Sequence, residues 1–175
     1  MTAKKRKASN SKPLTAPSPV RAALAPESPL SAEVKDGLAA VAAGHNGYID
    51  PAVRAEFADS LDLDAALLAG HEQENRWDYL LGHTPSAAVI GLEPHSAKED
   101  EVSTVIAKRS AALDQLRGHL RPGIQVARWL WVASGKVHFA DTEKARRRLD
   151  QHGIQFVGTR VQSKHLPRGG EAPEG

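Results

Sequence analysis

Between Arg76 and Leu120 the hydrophobic period of the chain changes once, from two residues to 3.6, so the fold must hold both a sheet and helices packed on it. In Arg76-Trp77-Asp78-Tyr79-Leu80-Leu81 the alternate residues Trp77, Tyr79 and Leu81 share a face, as in a strand. Gly82-His83-Thr84-Pro85 carries turn residues, and Ala88-Val89-Ile90-Gly91-Leu92-Glu93 is a second apolar run, so the pair reads as a hairpin. Ser96 and Glu99 then make a capping box. It opens a helix over about 97–119, with Val102, Val105, Ile106, Leu113, Leu116 and Leu120 in one stripe. Glu99, Asp100 and Glu101 occupy its first turn, where the helix dipole favours acids.

Beyond Arg121-Pro122-Gly123 the alternation of strand and helix continues. Val126 to Ala133 is an apolar strand holding Trp129 and Trp131, and Ser134-Gly135-Lys136 turns into Val137-His138-Phe139. Asp141 or Thr142 caps a helix to about Gln151, Gly153 stops it, and Ile154-Gln155-Phe156-Val157 is a last strand. Upstream of the hairpin three short helices are expected. Ser31 caps one carrying Val34, Leu38 and Val41; Asp50-Pro51 starts another with Val53 and Phe57; Ser60 caps a third with Leu61, Ala65, Leu67 and Leu68. None is long enough to stand without packing on a neighbour. The expected fold class is α/β: a single domain with a mixed central sheet in the order β-β-α-β-β-α-β, preceded by short helices. It spans 31–161, with 31–75 a helical lead-in and 76–161 the sheet core. Residues 1–30, with five prolines and scattered Leu14, Val20, Leu24 and Leu30, read as a disordered basic tail, and 162–175 as a second loose end.

The pI near 9.0 overstates the basicity of this domain. Residues 1–30 hold six cations and one acid. Within the domain, 31–101 has 4 cations and 14 acids, whereas 102–160 has 11 cations and 4 acids. An acidic half beside a cationic half suits a cation site next to a phosphate-binding surface. The cationic 102–160 half and the basic N-terminal tail are the expected contacts for nucleic acid. The absence of cysteine excludes disulfides, thiolate zinc sites and cysteine nucleophiles. There is no secretory h-region and no apolar run of about 20 residues. A cytoplasmic protein without a membrane segment is therefore expected, nuclear only if the cell is eukaryotic and reads Lys4–Lys7 as an import signal.

Common catalytic signatures are missing. His71-Glu72-Gln73-Glu74-Asn75 lacks the second histidine of a zinc-protease helix, and no phosphate-binding glycine loop or nucleophile elbow occurs. The hairpin is more informative. A turn centred on 84–86 sets Asp78 across from residues 91–93, and Glu93 and His95 project from one strand face. Two carboxylates and an imidazole then meet just before a helix N-terminus. Such an oxygen-rich set suits Mg2+ or Mn2+, and with it water activation at a phosphodiester. In the next helix Arg109 falls inside the apolar stripe and Lys108 at its edge. A guanidinium there needs an anion, and Asp78 or Glu93 is the expected one.

At these residues the chain resembles the PD-(D/E)xK nuclease superfamily, over roughly 60–160. Asp78 on one hairpin strand, Glu93-Pro94-His95 on the next and a helix after them follow that family's order. The resemblance implies a restriction-endonuclease-like core and a Mg2+- or Mn2+-dependent phosphodiesterase. It implies Asp78 and Glu93 as metal ligands, with Glu72 or Glu74 as the auxiliary acid. His95 stands in place of the family's lysine, which positions or deprotonates the attacking water; Lys108 or Arg109 is then the source of the missing cation. Two other classes fit the same residues. One is a non-catalytic α/β module that binds a protein or nucleic-acid partner and keeps an Asp/Glu–Arg network for structure. The other is a protein-interaction module whose acidic half docks a basic protein.

Overall fold

The computed structural model describes residues 18–137 and 143–170. One mixed sheet holds six strands in sequence order: β1 (Lys35–Asp36), β2 (Phe57–Asp62), β3 (Tyr79–His83), β4 (Ala88–His95), β5 (Arg128–Ala133) and β6 (Ile154–Phe156). Strands β1 to β4 pair antiparallel and β4 to β6 parallel. The helices are α1 (Pro19–Ala23), α2 (Leu63–Leu67), α3 (Glu101–Gln115) and α4 (Glu143–Gln151). Parallel neighbours need a crossover, and α3 and α4 provide the two that this sheet requires. The fold is the α/β class with a mixed sheet that the hydrophobic periods imply. The hairpin register also agrees: Tyr79 pairs with Leu92, which sets Asp78 across from Glu93.

Side-chain alternation along the strands builds a core on each face. Leu80, Val89, Trp129 and Trp131 meet α3 and α4 through Val102, Val105, Ala112, Leu116 and Leu149. Tyr79, Leu81, Ile90, Leu92, Leu130 and Val132 face the opposite side, beneath Val41, Ile49, Val53, Val161 and Leu166. Trp77, expected on the face of Tyr79 and Leu81, precedes β3 and packs on the helical side. There its ring meets Trp129 edge to face at 5.0 Å.

The departures from expectation lie mostly upstream of the hairpin. Residues from Pro19 onward belong to the domain, not to a tail: Val20, Ala23, Leu24 and Leu30 are buried. The start of α1 is satisfied from a distance, since the Asp59 carboxylate in β2 accepts from Val20 N at 3.1 Å and Arg21 N at 2.9 Å. No local pattern reveals a cap supplied from so far along the chain. The helices expected from Ser31 and Asp50 are instead 3-10 segments (Pro29–Glu33, Ala43–Tyr48, Arg54–Glu56) with β1 among them. The helix expected from Ser60 is β2, followed by α2 with Asp62 as its cap. Beyond 161, His165 and Leu166 are buried, so the domain runs further than expected there too. Helix α3 begins at Glu101 with Asp100 as its N-cap, because β4 runs on to His95 and Ala97 is drawn into the core; Ser96 is not its cap. Val137 is outside any strand; 138–139, the expected caps Asp141 and Thr142, and the ends 1–17 and 171–175 lie outside the described residues.

Gly82 pairs with Asp59 across β2 and β3. A Cβ at Gly82 would stand 1.9 Å from Asp59 Oδ1. Gly82→Ala is therefore expected to push that carboxylate off the α1 N–H groups. The expected cost is about 2 kcal/mol, read as a fall of roughly 4–8 °C in Tm.

Candidate active site

The hairpin ends unevenly. Strand β3 begins one residue after Asp78, whereas β4 remains paired with β5 as far as His95–Ala133. Val89 and His95 aim their carbonyls at the β5 side, accepting from Ala127 N at 2.8 Å and Ser134 N at 3.0 Å. By alternation Pro94 turns its backbone to the side that β3 has vacated, where its missing N–H removes no ladder bond. Asp78 is fixed at that gap. Its carbonyl accepts from Leu63 N (2.8 Å) and Asp64 N (3.3 Å) at the start of α2, and its N–H donates to Glu93 Oε2 at 2.9 Å.

Three ionisable side chains converge here. Lys108 Nζ, from the middle of α3, contacts Glu93 Oε1 and lies 3.4 Å from Asp78 Oδ1. The Glu93 side chain is 0% exposed, while those of Asp78 and His95 keep 23% and 24%, so the cluster opens past the last two. Burial, reinforced by the charge of Asp78, pushes the Glu93 carboxyl from its ordinary 4.5 to about 8, against the pull of Lys108. Burial also raises Asp78, with Lys108 opposing. For Lys108 burial works against the ammonium, but the two carboxylates outweigh it and its pKa is raised. The cation is therefore secure at neutral pH, while Glu93 readily takes up a proton. At the rim, His95 Nδ1 is 3.6 Å from Glu93 Oε1 and Nε2 is 2.8 Å from Glu101 Oε2. The hydrogen bond from His95 holds Glu101 below the ordinary carboxylate value.

Lys108, expected at the edge of its helix stripe, is the cation of the cluster. Arg109 meets neither carboxylate; its guanidinium lies 5.6 Å from the centroid of the Trp129 ring. Helix α3 packs through Val102, Val105 and Ala112 and leaves Leu113 41% exposed. Glu72 accepts from Gly70 N, while Glu74 pairs with His71 and accepts from Gln115. Gln115 is two turns along α3 from Lys108, about 10 Å, so neither acid joins the cluster. Glu101 is a rim residue that the sequence does not single out; the available signal was its place in the first turn of the helix after His95. Among the described residues no group of three or more His, Cys, Asp or Glu side chains is placed to hold a metal. Asp78 and Glu93 supply two carboxylates, and Mg2+ ordinarily takes one or two from a protein, with water and phosphate completing its shell.

A second polar chain lies at the other end of the hairpin. Glu56 Oε2 is 3.0 Å from His83 Nε2, and Ser86 Oγ is 2.6 Å from His83 Nδ1. Acid, imidazole and hydroxyl stand in the order of a nucleophile triad, but His83 is only 2% exposed. His83 ends β3 and Ser86 lies in the turn that follows it, in which Ala87 takes a left-handed φ of 53°, so the chain ties that turn to the start of β2. Ser86→Ala is expected to leave any activity of the Asp78–Glu93 cluster unchanged and to cost about 1 kcal/mol in thermal unfolding.

Compared with protein-family models, curated proteins and solved structures, the chain matches none of them. No helix among the described residues is long and apolar enough to cross a membrane.

Proposed function

We propose that the chain is a Mg2+- or Mn2+-dependent phosphodiesterase of the nuclease kind, akin in its core to the PD-(D/E)xK superfamily, with Asp78, Glu93 and Lys108 at its centre. The observation that carries this reading is the convergence of two carboxylates, Asp78 just before β3 and Glu93 in β4, on one ammonium from α3, beside an opening. Both carboxylates reach a single positive charge at that point, and their oxygens are the hard donors that Mg2+ prefers. When bound, such an ion acidifies a water and stabilises charge on a phosphoryl oxygen.

The rest falls to the chain's own residues. Asp78 and Glu93 hold the cation, and the enclosure of Glu93 fixes its position. Lys108 takes the part that the family gives to a strand lysine, holding a water or a phosphate oxygen by its charge. His95, tied through Nε2 to Glu101, turns Nδ1 towards Glu93, and an imidazole so oriented can move a proton at the rim. The net-cationic 102–160 segment adds affinity for a phosphate backbone that is blind to its sequence.

With Mg2+ or Mn2+ the purified protein is expected to cleave plasmid DNA or RNA, and Asp78→Asn to slow cleavage about a hundredfold or more. Undiminished cleavage by Asp78→Asn overturns this assignment. The contact of Lys108 with both carboxylates also supports a second reading. In it, a non-catalytic binding module keeps Asp78, Glu93 and Lys108 as a structural network, with lysine in the place expected for arginine. That reading predicts no cleavage and no shift of Tm with divalent ions.

A further inference from the structure

Arg109 takes no part in that cluster, and its surroundings are unusual for a cation. Burial depresses its pKa, and no carboxylate or hydrogen bond among the described residues acts the other way. Its Nε is buried without a partner among the described residues. Gly153, at a φ of 65°, clears the space beside it: a Cβ there would stand 2.9 Å from Arg109 Nη2. A guanidinium so enclosed carries a desolvation cost that a hydrogen-bonding anion offsets.

Beside it lies a cavity of about 290 Å3, at the small end of the range for ligand pockets. Its walls mix aliphatic side chains (Leu113, Leu116, Leu120, Ile124 and Val126) with arginines. Four large apolar side chains remain exposed among the described residues; two of them, Leu113 (41%) and Ile124 (42%), line this cavity. Arg117 and Arg121 stand at its margin, but Arg117 pairs with Asp114 at 3.3 Å and Arg121 is exposed to water. Of the three arginines that line the cavity, Arg109 is the least exposed. The partly buried Arg109 fork beside Leu113 and Ile124 matches one carboxylate on a short apolar body. We propose that this cavity binds a small amphipathic carboxylate, with the carboxylate on Arg109 and an aliphatic chain along Leu113 and Ile124. The proposal is independent of the phosphodiesterase reading.

Sodium octanoate tests it, by calorimetric titration and thermal unfolding. Octanoate is expected to bind the wild-type chain and raise its Tm. Acetate (the head alone) and 1-octanol (the body alone) should do neither at the same concentration. Arg109→Leu places a leucine in a leucine-rich stripe and removes a desolvated charge. It is expected to unfold at or above the wild-type temperature, and to bind octanoate at least about tenfold more weakly. Ile124→Glu, at an exposed position, tests the chain end without touching Arg109 and should weaken binding to a similar degree. The proposal is overturned if octanoate fails to bind the wild type, if acetate or 1-octanol matches it, or if binding survives both substitutions. Tighter binding of octyl phosphate than of octanoate overturns the carboxylate as head group.

Discussion

Lys108→Met is expected to abolish cleavage and, in metal-free buffer at pH 7, to lower Tm by roughly 6–12 °C, or about 3 kcal/mol. Methionine keeps most of the lysine stem, so what is lost is the charge. Asp78 and Glu93 are then left facing one another with no cation between them. Glu93 already holds a proton up to about pH 8, which limits the penalty near neutrality and lets it grow above that pH. Added Mg2+ separates the two functional readings. If the carboxylates bind a divalent ion, Mg2+ raises the Tm of Lys108→Met more than that of the wild type, because in the wild type the ammonium holds the same oxygens. Equal and negligible shifts in both proteins make Lys108 a structural counter-ion and remove the metal from the proposed function.

The part of this site that could be read from the sequence is the part set by local periodicity. A turn near 84–86 and a period of two place Asp78 opposite Glu93, and the observed pairing of Tyr79 with Leu92 is that register. Which of two adjacent cations reaches the carboxylates was not legible. Lys108 and Arg109 differ by 100° on the helix, and Leu113 and Leu120 weight the apparent stripe towards Arg109. Which of the two cations meets the carboxylates depends on how α3 sits against Trp129 and Trp131, from a strand further along the chain. Strand β2 was hidden for a related reason. Asp59 and Ser60 look like surface or capping residues, yet both are fully buried. Their oxygens serve distant backbone groups, Asp59 at Val20 and Arg21 and Ser60 at Ala40 N (3.1 Å). Polar side chains that satisfy remote N–H groups break the apolar pattern that a period search relies on.

For Glu93→Gln the informative measurement is Tm against pH. The folded-state pKa of Glu93 is raised, from 4.5 to about 8, so its contribution is fully present below pH 4.5 and is lost as pH rises to about 8. At 1.36 kcal/mol per pH unit that loss is on the order of 5 kcal/mol. Asp78, also raised, acts in the same direction from its ordinary 3.8 upward. Lys108 does not oppose this, because a lysine with a raised pKa loses its contribution only in the alkaline range above 10.5. Glu101, with a lowered pKa, loses its own only as pH falls below 4.5. Wild-type Tm is therefore expected to fall between pH 5 and 9. The glutamine variant is neutral throughout and should show a much flatter profile. It starts lower at pH 5, because one amide oxygen cannot accept from both Asp78 N and Lys108 while the amide N–H2 faces the other donor. The two curves are expected to converge towards pH 9, with cleavage lost in the variant at every pH. Parallel curves would mean that Glu93 ionises in the folded protein as it does in the unfolded chain, and the enclosed carboxylate on which the proposed site depends would be lost with it.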